Sequence, residues 1–126
     1  LVALEVAQRS NIDVILLAGK LAPNAYVCTG STVISQLSEI QVDLCFLGTN
    51  GISIHGGVTD YDWEIVQVKK ALIKSSKKLA LLSIAEKLDT NHKLQVCNLN
   101  SIDYLITELA PDDQKLSGYS QVLKVI

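Results

Sequence analysis

The sequence predicts an α/β domain: a mainly parallel sheet flanked by helices on both faces. Three observations predict it. Short apolar runs at residues 14–17, 42–47 and 79–84 lack the strict alternation of half-exposed strands, as expected of strands buried on both faces. Between them, Val33, Ile34, Leu37 and Ile40, and then Tyr61, Ile65, Val68 and Leu72, recur at helical spacing. The chain of 126 residues is 48% apolar and only 19% charged, enough for one domain with a real core.

Each element has its own signal. Leu1, Leu4 and Val6 with Ala3 and Ala7 read as the end of a helix stopped near Ser10 and Asn11, which favour turns over helix interiors. Residues 14–17, bounded by Asp13 and Gly19, read as a strand, and residues 20–24, with Pro23, as a connection. Residues 26–28 suit a short extended piece. Thr29, Gly30, Ser31 and Thr32 then supply turn and cap chemistry for a helix over 31–39.

A second strand, 42–47, carries Asp43 at its entrance and runs into glycine-bearing turns, Gly48-Thr49-Asn50-Gly51 and His55-Gly56-Gly57. The long helix over 61–77 follows. Tyr61 and Trp63 at its start read as packing residues, and Lys74, Lys77 and Lys78 at its close as cations opposing the helix dipole. Strands are expected at 79–84, 93–97 and 104–107, a short helix from Pro111, and a last strand over 121–126.

Composition removes several function classes. A formal charge of −2 and a pI near 5.6 provide no basic face for nucleic acid. Cys28, Cys45 and Cys97 are widely spaced, without a CxxC pair, and read as buried free thiols of a reducing cytoplasm. No apolar run reaches the roughly 20 residues of a membrane span. The chain lacks methionine and opens inside a helical pattern, so a piece of a longer protein is expected.

The glycine-bearing stretch after the second strand is where a parallel sheet places ligands, beyond its strands' carboxyl ends. Gly48, Gly51, Gly56 and Gly57 can expose backbone donors and Thr59 a hydroxyl, which suits an anion, although such turns are also ordinary punctuation. The stretch is neither GxGxxG nor a P-loop, and no cofactor motif is present. Lys69 lies about 140° around the helix from Glu64 and can turn inward or snorkel. Asn50 can meet a sugar hydroxyl or serve the turn. His55 shows no partner for catalysis, and no nucleophile stands beside an evident base.

The ordered string Asp43, Phe46, Leu47, Gly48, Gly51, Ile52, Gly57, Thr59, Glu64, Val68 and Lys69 resembles the pattern FDxAFLGxxGIxxxxGxTxxxxxExxVK of the C-terminal sensor domain of DeoR-type transcriptional repressors. Residues 12–23 resemble the same family's IxVILLGGxLxP, and residues 101–107 its DIDxLITD segment. Two departures stand out. A loop similar to DxGTTT would precede Leu1, and where the family reads like LLADSSKF this chain keeps Lys87 but has Ile84 at the acidic position, with Glu86 nearby.

The resemblance implies a Rossmann-like three-layer fold of the ribose-5-phosphate isomerase/CoA-transferase-like group. Residues 1–126 would form one effector-sensing domain, lacking its N-terminal portion and an upstream helix-turn-helix that carries the DNA contacts. It implies a cytoplasmic homo-oligomer, not an enzyme, whose effector is a phosphorylated sugar or sugar derivative. The implied effector residues are Gly48, Gly51, Gly57 and Thr59 as shapers of the loops and backbone donors, Asn50 and Glu64 toward hydroxyls, and Lys69 and Lys87 toward anionic groups. The alternatives are an oligomerisation module without ligand and a sugar-phosphate isomerase-like enzyme.

Overall fold

A computed structural model describes residues 1–126. The elements are α1 (Val2–Arg9), β1 (Lys20–Ala22), β2 (Val27–Thr29), α2 (Ser31–Ser38), β3 (Val42–Gly48), β4 (Gly51–Ser53), β5 (Gly57–Asp60), α3 (Trp63–Lys74), β6 (Ser76–Leu82), β7 (Leu94–Cys97), β8 (Tyr104–Ile106), α4 (Ser117–Ser120) and β9 (Lys124–Val125). None of the helices is long and apolar enough to cross a membrane.

The mixed α/β class holds, with a parallel four-stranded sheet in the order β3-β6-β8-β9 as its base. Strand β3 pairs with β6 from Val42↔Ser76 to Gly48↔Leu82, so both end at one edge. Along β3 the period of two sends Cys45 and Leu47 into the core and leaves Leu44 and Phe46 outside. Cys45, Leu47, Leu79, Leu81 and Leu105 pack with Val66 of α3 and with Leu116 and Tyr119 in a cluster of 15 buried residues. A smaller cluster, Val33, Leu37 and Val68, binds α2 to α3.

Helix α3 is stopped and started by its own chemistry. Asp62 caps it, accepting from the Ile65 N–H at 3.1 Å, and Lys74 sits in its last turn. It is shorter than 61–77, because the chain turns at Ser75 and enters β6 at Ser76. Lys77 and Lys78 therefore belong to the strand, where they meet Asp43 of β3 (2.9 Å) and Asp103 just ahead of β8 (3.4 Å).

Other expectations need correction. Residues 14–17 form no strand: Ile15 is 86% and Leu16 77% exposed, and no partner strand lies alongside to take up their backbone groups. Residues 20–22 are paired antiparallel with β2 instead of merely connecting. Tyr61 and Trp63 are exposed, since they precede the part of α3 that faces the core; the Tyr61 ring meets the His92 ring edge to face. The last strand is confined to Lys124–Val125.

The largest addition is a second sheet. Strands β4, β5 and β7 pair antiparallel, with Gly51↔Thr59 and Ser53↔Gly57 in the β4–β5 hairpin. The glycines at its ends disguise the hairpin as loop, yet they are what lets it close. A β-carbon at Gly51 would stand 2.7 Å from the Thr90 carbonyl oxygen, and Gly57 has φ +69 with the Cys97 carbonyl against its α-carbon.

Candidate functional site

Strand β3 delivers Gly48, Thr49 and Asn50 to the carboxyl edge of the parallel sheet, where Gly48 and Thr49 line two neighbouring cavities. One, of about 450 Å³, is lined by Gly48, Thr49, Ser83, Ile84, Lys87 and Glu108 together with the ends of β6 and β8. The other, of about 360 Å³, lies between β3, β2 and α3 and is lined by Phe46, Asn50, Val68 and Lys69 among others. A third, of about 270 Å³ between α2 and α3, opens at the opposite, amino end of the strands. Only the first two occupy the ligand position of such sheets.

The rim is fixed by short polar contacts. Thr49 folds onto the next turn, its hydroxyl donating to the Gly51 carbonyl (2.8 Å) and accepting from the Gly51 N–H (3.1 Å). Asn50 donates its side-chain amide to Asp60 Oδ1 at 3.0 Å, and its carbonyl lies 3.1 Å from His92 Nε2. Asp60 is fully buried, accepts from the Tyr61 N–H at 2.7 Å, and meets Lys69 Nζ at 2.8 Å. Burial pushes the Asp60 carboxyl pKa up, but the Lys69 ammonium and the Asn50 amide outweigh it and hold the group below the usual carboxylate range.

The eight expected residues separate into three groups. Gly48, Asn50, Lys69 and Lys87 line the two cavities. Gly51, Gly57 and Thr59 stand behind them in the hairpin, where the Thr59 hydroxyl accepts from the His92 N–H at 2.9 Å and is buried. Glu64 stands apart on the exposed side of α3, its Oε2 3.3 Å from the Thr29 hydroxyl. Lys69 is already engaged by Asp60. Lys87 is different: it takes no part in any of the chain's ion pairs.

Sequence reasoning passed over Asp60 and Glu108. For Asp60 a signal was available, an acid ending a strand nine residues before an inward lysine. Glu86 does not line the cavity beside Ile84; Glu108 does. The remaining titratable groups offer little chemistry. Burial raises the thiol pKa of Cys45, and that of Cys97 to about 11, so both stay protonated and weakly nucleophilic. His55 is exposed on the hairpin loop.

Comparison with known proteins decides the family. The model of the DeoR C terminal sensor domain matches residues 1–109. The chain belongs to this family. The sensor domain is 36% identical over 107 residues to the HTH-type transcriptional repressor GlcR of Bacillus subtilis, covering 85% of this chain and 41% of GlcR. It is 29% identical over 106 residues to the HTH-type transcriptional regulator GolR of Listeria innocua (84% and 42% covered). With the glycerol-3-phosphate regulon repressor of Haemophilus influenzae the identity is 28% over 105 residues (83% and 41%). The sensor domain thus spans about two fifths of the length of the curated relatives it matches. These relatives carry the names of transcriptional regulators.

Proposed function

We propose that this sensor domain binds a phosphorylated sugar or sugar derivative and that binding controls DNA association by a helix-turn-helix elsewhere in a cytoplasmic, homo-oligomeric repressor. The observation that carries the reading is the pairing of Lys87, a cation without an internal partner, with Gly48 on one cavity at the sheet's carboxyl edge. A β-carbon at Gly48 would meet no atom within 4 Å, and its φ lies outside the positive region, so neither packing nor backbone conformation requires glycine there. Close approach of a ligand to the backbone gives the glycine a purpose. The name of the Haemophilus influenzae relative points to the same class of small phosphorylated polyol.

The phosphate would sit against Lys87 and the Gly48-Thr49 backbone. Gly48 and Thr49 line this cavity and its neighbour alike, and Asn50 and Lys69, held by Asp60, line the neighbour. Binding acts on transcription only if it favours one arrangement of these loops or subunits over another.

The test is the melting temperature of the full-length protein with glycerol 3-phosphate, ribose 5-phosphate or glucose 6-phosphate. A ligand at about 100 times its Kd stabilises the fold by about 2.7 kcal/mol. At least one phosphorylated compound should raise the melting temperature while its unphosphorylated parent does not; no shift with any of them overturns the reading. A second reading, an oligomerisation module without ligand, is favoured by the open sheet face carrying Leu44, Phe46 and Leu82, which are 43%, 61% and 41% exposed. It expects a stable oligomer whose melting no sugar phosphate changes.

A further inference from the structure

Glu108 is the carboxylate of the Lys87 cavity, and the site as described does not use it. It lies two residues beyond β8, and two donors fix it, the Thr107 hydroxyl of the same lining and the Ala85 N–H of the turn that carries Lys87. Oε1 accepts from the Ala85 N–H at 2.8 Å, and Oε2 from the Thr107 hydroxyl at 2.9 Å. Ala85 opens the turn that carries Lys87, so the acid also anchors the segment presenting the cation. The Ala85 N–H, with the Thr107 hydroxyl, holds the Glu108 pKa below the usual range; the group is ionised at neutral pH and can only accept.

A carboxylate offers about four lone-pair sites, and Ala85 and Thr107 occupy two, leaving about two for other donors. Although Glu108 and Lys87 line one cavity, they form no ion pair with each other. A wholly anionic ligand would be repelled by the acid, and a neutral one would leave the lysine unanswered. A ligand with an anion at one end and hydroxyl donors at the other satisfies both. Ile84, in the same lining, contributes an apolar side chain that makes no hydrogen bond.

We propose that Glu108 is the specificity-determining residue of this cavity, accepting hydrogen bonds from the hydroxyls of a phosphorylated polyol whose phosphate is held at Lys87. The inference rests on the effector site proposed above. It assigns the acidic contribution to the end of β8, and not to residue 84 or Glu86.

The experiment is calorimetry on the full-length protein and its Glu108→Gln variant with glycerol 3-phosphate, ribose 5-phosphate, glucose 6-phosphate and inorganic phosphate. Glutamine keeps the shape and one oxygen for the Ala85 N–H but turns the other acceptor into a donor. Affinity for whichever phosphorylated polyol binds the wild type should fall about tenfold or more, while inorganic phosphate binds as well or better once the negative charge is gone. Equal polyol affinity in both proteins overturns the proposal, as does a parallel loss for polyol and inorganic phosphate, which marks a purely structural acid. If the wild type binds none of the polyol phosphates, the underlying effector reading fails and this inference falls with it.

Discussion

Lys69 Nζ and Asp60 Oδ2 lie 2.8 Å apart, with the carboxylate fully buried and the lysine side chain 14% exposed. The contact joins the end of β5 to the middle of α3, next to the rim that Asn50 completes. Lys69 thereby owes its position to a charge inside the fold.

Lys69→Met should destabilise the domain by about 3–5 kcal/mol, because it leaves a buried carboxylate unpaired. Adding Asp60→Asn should cost less than the sum of the two single changes, since the partners share one interaction. Urea denaturation of the three variants measures both effects.

The same contact sets an acid limit. Asp60 has its folded pKa below the ordinary value of 3.8, so its stabilisation is fully present above that value and is lost as pH falls through the lower folded one. Acid unfolding of the wild type should be steep below about pH 4, and the step should shrink in the double variant.

Two glycines should respond in opposite ways to alanine. Gly57→Ala places a side chain at φ +69 against the Cys97 carbonyl and should cost at least about 2 kcal/mol. Gly48→Ala meets open space and should leave stability unchanged or raise it by about 0.4–1 kcal/mol. If Gly48 is kept for a ligand, effector affinity should nevertheless fall in the second variant; thermal melts paired with calorimetry distinguish the two roles.

Tyr119 ties the C-terminal segment to the turn that follows Lys87. Its hydroxyl lies 2.8 Å from Asp89 Oδ1 and 3.1 Å from the Ile52 carbonyl, and it accepts from the Asp89 N–H at 3.0 Å, where Asp89 holds φ 57. Tyr119→Phe should cost about 1–3 kcal/mol through the groups left unpaired. Burial raises the phenol pKa from 10.0 to about 12, so the tyrosine's stabilisation is complete below pH 10 and disappears as pH rises through 12. Denaturation from pH 8 to 12 should show that loss in the wild type and not in the phenylalanine variant.

Residues whose signal is local were legible in the sequence. Strand β3, the capped helix α3 and the placement of Gly48 at a sheet edge all follow from periodicity and capping chemistry carried within a few residues. The run at 14–17 has the same apolar, β-branched character but lacks a neighbour, and pairing is a property of the fold, not of the run. The β4–β5 hairpin was hidden by the glycines that its tight approach to Thr90 and Cys97 demands. In the site, Gly48 came from the glycine-bearing turn at the strand's end, and Lys87 from resemblance. Asp60 and Glu108 depended on contacts with Lys69 and Ala85, which only the folded chain brings into reach.

The most direct measurement of the central claim is calorimetric titration of the wild-type full-length protein and Lys87→Ala with the phosphorylated sugar that raises the wild type's melting temperature. Lys87 has no internal ion-pair partner to lose, so its removal should leave the melting temperature of the free protein unchanged. Affinity should fall at least tenfold, or about 1.4 kcal/mol. A Lys87→Ala protein that binds the ligand as the wild type does would contradict the placement of the effector at this cavity.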